Sequence, residues 1–227
     1  MIGGTIRHKI QDHAYVLTIT SISGLINVVN LINGYLRTPK IHKFNILINW
    51  IHRSGNGEGL ISTHKPDVSD LGANAWLAGF IEADGSFDIR VSQTSTGSVK
   101  NRVSARLRLE QRQSDPITLQ SYSDIMSAIA QFLGTSLSTS NHNGVQYFLI
   151  SATSTKARLV IANYFAVYPL FGSKRLNFQD WLICHNLIKD KKHTFPEGRE
   201  LALKLKSGMN SKRTYLNWDH LEFLKTY

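Results

Sequence analysis

The sequence contains a single cysteine, Cys184, among 227 residues. No internal disulfide can form, and no cysteine-based zinc site can be assembled. The nine histidines show no paired ligand spacing. His185 and His193 flank a Lys-rich stretch that reads as a basic helix end followed by a loop. No apolar run is long enough to span a bilayer, so no membrane partner is expected. The opening stretch, MIGGTIRHKIQDHAY, has neither a secretory apolar core nor an amphipathic Arg/Ser-rich transit pattern. Either the protein is made where it works, or its true N-terminus lies elsewhere. Acidic residues are also scarce: 16 Asp and Glu against 26 Lys and Arg leave a formal charge of +10. That balance favours a polyanionic partner, because each neutralised phosphate releases condensed counterions. A solvated basic surface would fit the same balance, so the partner must be read from something sharper. With hydrophobic residues at 42%, the chain is globular and long enough for one large domain or two small ones.

Two stretches share an order of elements. In the first, Gly4-Thr5 opens a basic strand-like run, followed by the apolar Tyr15-Val16-Leu17-Thr18-Ile19. After Ser21, Leu25, Ile26, Val28, Val29 and Ile32 recur at helical spacing. Arg37-Thr38-Pro39-Lys40 then leads through Phe44 into a second helical run ending near Trp50. In the second stretch, Gly134-Thr135 opens a Ser-rich strand before Tyr147-Phe148-Leu149-Ile150. An apolar helix through Leu159, Val160, Ile161 and Tyr164 follows, then Phe171-Gly172-Ser173-Lys174, and a helix around Trp181 and Leu187. Lys40 and Lys174 each precede a Phe by four residues. The spacing predicts a strand-strand-helix-helix unit used twice. Residues 74–133 add a helix, two strands and a helix with no counterpart before Gly4. Residues 53–73, rich in Gly, Ser and Asp, read as a linker. The division expected is 1–52, linker 53–73, 74–195 and a basic tail 196–227. That tail carries Lys204, Lys206, Lys212 and Arg213.

The chemistry lies in Asn74 to Arg90. Asn74 is expected as the N-cap of a short helix from Ala75 to Ala83. Ala75, Gly79 and Ala83 recur every four residues and give a face with almost no side chain, which allows another helix to approach closely. Asp84 ends the helix, and Gly85 is expected as a left-handed cap. A carboxylate there meets the negative end of the helix dipole, a cost of roughly 0.3–1 kcal/mol. A divalent cation reverses that sign and takes carboxylate and carbonyl oxygens together. Beyond it, Phe87, Ile89 and Val91 alternate with Asp88, Arg90 and Ser92, in a strand expected to reach Gln93. Val103, Ala105, Leu107 and Leu109 alternate with Arg102, Ser104, Arg106, Arg108, Glu110 and Arg112. An arginine-rich hairpin face of this kind fits the major groove, where Arg reads guanine edges. Gln146 is expected with the same DNA-facing set.

Leu77-Ala78-Gly79-Phe80-Ile81-Glu82-Ala83-Asp84-Gly85 resembles the signature of the LAGLIDADG homing-endonuclease and intron-maturase family, differing at Phe80 and Glu82. The likeness extends over nearly the whole chain, most closely over 74–190, and is closest to fungal mitochondrial intron-encoded members. It implies an α+β fold with a curved antiparallel saddle, packed helices and a pseudo-two-fold repeat. It further implies hydrolysis of DNA phosphodiesters with Mg²⁺ held by Asp84, with Gln111, Lys174 and Lys40 near the scissile phosphates. It implies double-stranded DNA as partner and the mitochondrion as location. Two-repeat members bring an acid from each repeat, whereas these residues contain a single such segment. The first repeat therefore reads as lacking its front half, and the chain as a fragment, a decayed enzyme, or half of an assembly such as a homodimer. The rival readings are an RNA-binding maturase acting on intron RNA through Lys189, Lys191, Lys192 and the tail lysines, and a non-catalytic nucleic-acid-binding protein on the same fold.

Overall fold

The computed structural model describes residues 2–12, 14–55, 61–92 and 102–226. The chain forms two compact units, Met1–Ser69 with Ser114–Ser121, and Asp70–Gln113 with Tyr122–Tyr227.

In the first unit, β1 (Thr5–Lys9) and β2 (Ala14–Thr18) pair antiparallel with Ile6 opposite Leu17. Helices α1 (Ile22–Ile32) and α2 (Lys40–Arg53) follow. The Ser21 hydroxyl accepts from the Gly24 amide at 3.2 Å and satisfies one free donor of α1. In α2, Ile41, Phe44, Ile48 and Ile51 fall on one stripe and are buried. Val29, Phe44, Ile48, Ile51 and Ile61 make a small core. Ile61 belongs to the stretch expected as linker, of which residues 56–60 lie outside the described residues. Of the rest of that stretch, residues up to Ser69 belong to this unit, while Leu71 is buried in the core of the second. Arg37, itself buried, pairs with Asp67 at 2.9 Å and with the Ser69 hydroxyl at 2.7 Å. Asn33 and Asn45 donate to the carbonyls of Ser62 and His64. A Gly/Ser/Asp-rich composition removes regular structure but does not prevent packing.

The second unit runs α3 (Trp76–Asp84), β3 (Gly85–Val91), β4 (Val103–Arg112), α4 (Ser123–Phe132), β5 (Leu137–His142), β6 (Val145–Ala152), α5 (Thr155–Val167), α6 (Lys174–Lys189) and α7 (Pro196–Ser207). Its antiparallel sheet has the order β3-β4-β6-β5. The β5–β6 turn is Asn143-Gly144, both at positive φ (53° and 82°). That is the hairpin geometry whose twist matches the flanking strands. One sheet face supplies the core through Phe87, Ile89, Ala105, Leu107, Leu109, Ile150 and Ala152. Phe87 meets Phe165, Phe178 and Trp181 at centroid distances of 5.3–5.8 Å, which ties β3 to α5 and α6. Each such aromatic pair contributes roughly 0.5–1.5 kcal/mol beyond area burial. The order β5-β6-α5-α6 repeats β1-β2-α1-α2, and the fold is α+β.

Residues 196–213, expected as a basic tail, pack into the second unit. α7 buries Gly198 and Ala202, and Met209 joins the core. Arg213 pairs with Asp180, and its Nε donates to the Asn177 side chain at 3.1 Å. The lysines of α7 mark only its solvated side. His185 also departs from the expected basic helix end: it is buried within α6 and stacked on Trp181. Among the described residues no helix is long and apolar enough to cross a membrane.

Candidate active site and nucleic-acid face

Leu77, Ala78 and Ile81 bury one side of α3, leaving Ala75, Gly79 and Ala83 exposed. A Cβ built on Gly79 would meet nothing within 4 Å. The helix starts one residue later than expected. Asn74 precedes the cap position, taken by Ala75, and its side chain accepts from the Trp76 amide at 3.0 Å. The Tyr164 hydroxyl accepts from the Ala78 amide at 3.0 Å and donates to the Asn74 carbonyl at 2.9 Å. A side chain from α5 thus satisfies a free donor in the first turn.

At the other end Asp84 is the last helical residue and is exposed. Gly85 is extended (φ −81°, ψ 163°) rather than left-handed. Glycine is needed there for space, since a Cβ would lie 2.7 Å from Ile81 Cγ2 and 2.9 Å from the Ile81 carbonyl oxygen. Strand β3 leaves the helix so abruptly that only hydrogen fits.

Lys174 opens α6, and its Nζ donates to the carbonyls of Ile81, Glu82 and Ala83 at 3.1, 2.7 and 3.0 Å. An ammonium at a helix C-terminus satisfies orphan carbonyls and opposes the dipole. Burial lowers the Lys174 pKa, while Glu82 and Asp84 act in the opposite sense. In return the Glu82 carboxylate accepts from the Phe171 amide at 2.8 Å, just before α6. The end of α3 and the start of α6 therefore grip each other beside Asp84. The expected partnership of metal with carbonyls is changed, because Lys174 engages the three that precede Asp84. What remains for a cation is the Asp84 carboxylate. Among the described residues no three His, Cys, Asp or Glu side chains gather into a metal cluster. One exposed carboxylate still fits Mg²⁺, which keeps several waters and takes one or two carboxylates together with substrate phosphates.

Gln111 lies on β4 two residues past Leu109, the partner of Gly85, on the core-facing side and half-buried. The register thus brings it level with the end of α3. Lys40 opens α2 in the first unit as Lys174 opens α6 in the second, and is exposed.

The other sheet face is polar, but its arginines are not free. Arg106 holds Asp88 Oδ2 through Nε at 2.7 Å and Nη2 at 2.6 Å, with Arg90 3.7 Å from Asp88 Oδ1. Arg108 pairs with Glu110 at 3.0 Å. Glu110 also accepts from Ser140 and from His142 Nε2, the latter at 2.9 Å. Burial by itself would raise the Glu110 pKa, but hydrogen bonds from Ser140 and His142 and the charge of Arg108 outweigh it and lower the value. The Ser92 hydroxyl is bound to the Arg102 amide at 2.8 Å, while Arg102 and Arg112 are exposed and Ser104 is half-exposed. Gln93 lies outside the described residues. Gln146 is on the wrong face. It pairs with Asn141 and alternates with Tyr147, which stands opposite Arg112, so it shares the side of Phe148 and Ile150. Ser140, His142 and Tyr147 belong to the polar face and were not singled out. Leu137–His142 is polar at every position but the first, so its sequence carries no alternation that marks a face.

The second unit thus joins an antiparallel sheet with a basic, acid-braced face to a helix that ends in an exposed Asp beside a lysine ammonium, within an α+β fold. Residues 77–185 match the model of the LAGLIDADG endonuclease family. The chain is 30% identical over 247 residues to the intron-encoded DNA endonuclease aI3 of Saccharomyces cerevisiae, covering 96% of this chain and 60% of that protein. It is 43% identical over 99 residues to the probable intron-encoded DNA endonuclease aI1 of Mycosarcoma maydis, covering 43% of this chain and 82% of that one. Its fold matches the I-SmaMI LAGLIDADG homing endonuclease bound to cleaved DNA with a TM-score of 0.71 at 22% identity, over 92% of this chain and 79% of that one. The I-LtrWI enzyme bound to target DNA gives 0.69 at 20% identity over the same shares. The chain belongs to the LAGLIDADG endonuclease family. It spans 60% of the length of the yeast relative.

Proposed function

We propose that this protein is a site-specific DNA endonuclease of the intron-homing type, working in the mitochondrion and using Mg²⁺ to hydrolyse phosphodiester bonds. The observation that carries the reading is Asp84, exposed at the end of α3 and fixed beside the Lys174 ammonium where the helix runs into the polar-faced sheet. The relatives are named as intron-encoded DNA endonucleases, and two structural neighbours are described with DNA bound.

Asp84 would hold the metal, which when bound supplies an activated water and stabilises the leaving oxygen. Lys174 fixes the last turn of α3, so the carboxylate is presented in one orientation, and it adds positive charge facing a phosphate. Gln111, level with that turn, is placed to orient water by hydrogen bonding. On the sheet, exposed Arg102 and Arg112 suit phosphates, which position the duplex. Arg106 and Arg108, held in fixed directions by Asp88 and Glu110, suit base edges, which specify it.

Duplexes selected from a randomised library test this reading. Asp84→Asn should abolish Mg²⁺-dependent strand scission, by the chain or by any assembly containing it, and leave duplex affinity nearly unchanged. Scission that survives the substitution sinks the role of Asp84.

A further inference from the structure

The Glu110 cluster does more than neutralise an arginine. Glu110 is on β4, whereas Ser140 and His142 are on β5, and β6 lies between those strands. Adjacent strands are about 4.8 Å apart, so the Glu110 side chain reaches across a whole strand to meet them. Its register partner is Leu149, which pairs in turn with Ser138, so the reach is also diagonal. One carboxylate oxygen takes Ser140 and His142, and the other takes Arg108. Both oxygens of Glu110 are occupied by the protein. The carboxylate therefore serves as a brace, and Arg108 and His142 are the groups left to meet a ligand. Their side chains are 34% and 52% exposed, against 23% for Glu110. Tyr147 supports the imidazole edge-on, at a centroid distance of 5.2 Å. Among the described residues the other charged groups on this side are Arg106 and Arg90 about Asp88, and exposed Arg102 and Arg112.

An ionised carboxylate only accepts hydrogen bonds. Facing Glu110, His142 Nε2 must carry the proton, which leaves Nδ1 of the neutral ring as an acceptor. In the major groove an acceptor pairs with adenine N6 or cytosine N4, and an arginine pairs with guanine O6 and N7. We propose that Glu110 is a specificity-positioning residue: it fixes the tautomer of His142 and the direction of Arg108, so that His142 Nδ1 accepts from the amino group of an adenine or cytosine next to a guanine read by Arg108. This rests on the reading of the polar face as a duplex-binding surface.

The test joins ring-nitrogen NMR of the free chain to binding-site selection. His142 should show the Nε2–H tautomer in the unaltered protein. In Glu110→Gln, whose amide can donate as well as accept, a mixture should appear. Selected sites should prefer an amino-bearing base at one position. His142→Ala and Glu110→Gln should each weaken that preference about tenfold, while total duplex affinity falls much less and preferences set by Arg106 persist. A predominantly Nδ1–H ring, or an unchanged preference in both variants, overturns the proposal. A chain that binds no duplex overturns the surface reading and the proposal with it. Loss of duplex binding with the Nε2–H ring intact would locate the failure in the surface reading, not in the brace.

Discussion

Burial decides the residue-level chemistry of the second unit. His185 is 2% exposed, and its Nδ1 faces the Arg158 Nε–H at 3.3 Å. Burial lowers its pKa most, Arg158 and Lys189 lower it further, and Asp190 opposes them. The folded chain thus keeps this imidazole neutral, while the unfolded chain takes up a proton near pH 6.5. Stability from His185 is full above that pH and is lost as pH falls toward the lower folded value. His185→Gln retains an acceptor for Arg158 without a titrating group. Its stability deficit in urea should shrink between pH 7.5 and pH 5.5; a constant deficit would show that His185 is charged in the folded state as well. Cys184 beside it has its thiol pushed up by burial to about 12, which makes it an inert packing residue. Lys174 is the contrasting case, a half-buried cation with three carbonyls to satisfy. Hydrogen bonds to charged groups contribute roughly 1.5–3 kcal/mol. Lys174→Met should lower the unit's stability by about 1–3 kcal/mol in urea unfolding, and a loss under about 0.5 kcal/mol, the range of an ordinary surface change, would deny it a capping role. The sequence pointed to Lys174 through family likeness and a Phe four residues on. What it grips could not be read, because α3 and α6 are 90 residues apart and local spacing carries no information about that pairing.

At the scale of elements, pattern was legible and closeness was not. Alternation in β3 and β4 predicted which faces are buried, since the strand period acts locally, whereas of the apolar positions expected on α1 only Val29 is fully buried and Ile32 is exposed. Gln146, expected with the DNA-facing residues, lies on the opposite side, which only the register with Asn141 and Arg112 reveals. Gly85 was expected as a left-handed cap and is instead a steric necessity beside Ile81. Sequence shows a glycine equally in both cases. Gly198 repeats that lesson inside α7, where a Cβ would fall 2.1 Å from the Lys192 carbonyl oxygen and 2.7 Å from its carbon. Helix propensity alone would make Gly198→Ala stabilising by about 1 kcal/mol. Backbone overlap should win, with a net loss of roughly 1–3 kcal/mol visible as a lower midpoint in thermal unfolding. A raised midpoint would mean that α7 and the turn before it do not pack at this distance.

For the whole molecule, the decisive quantity is the number of acidic helices. The sequence holds a single LAGLIDADG-like segment, and its Ala75, Gly79 and Ala83 are exposed in the folded unit. Gly79 has open space where a side chain would go. That face is shaped for another helix at short range, and one carboxylate cannot serve both strands of a duplex at once. We therefore expect the 227-residue chain to bind duplex but to make no double-strand break as a monomer. A second acidic helix should be required, from another copy of the chain or from a separate LAGLIDADG segment added to it. Gly79→Leu separates fold from assembly. The open space leaves only the gain in helix propensity, so the unfolding free energy should be unchanged or raised by up to about 1 kcal/mol. The added isobutyl group would hold the helices apart and stop cutting from being gained on mixing. Analytical ultracentrifugation alongside a plasmid linearisation assay reads both effects. Efficient linearisation by a demonstrated monomer, or full cutting by the Gly79→Leu mixture, would show that this face is not where the two acidic helices meet.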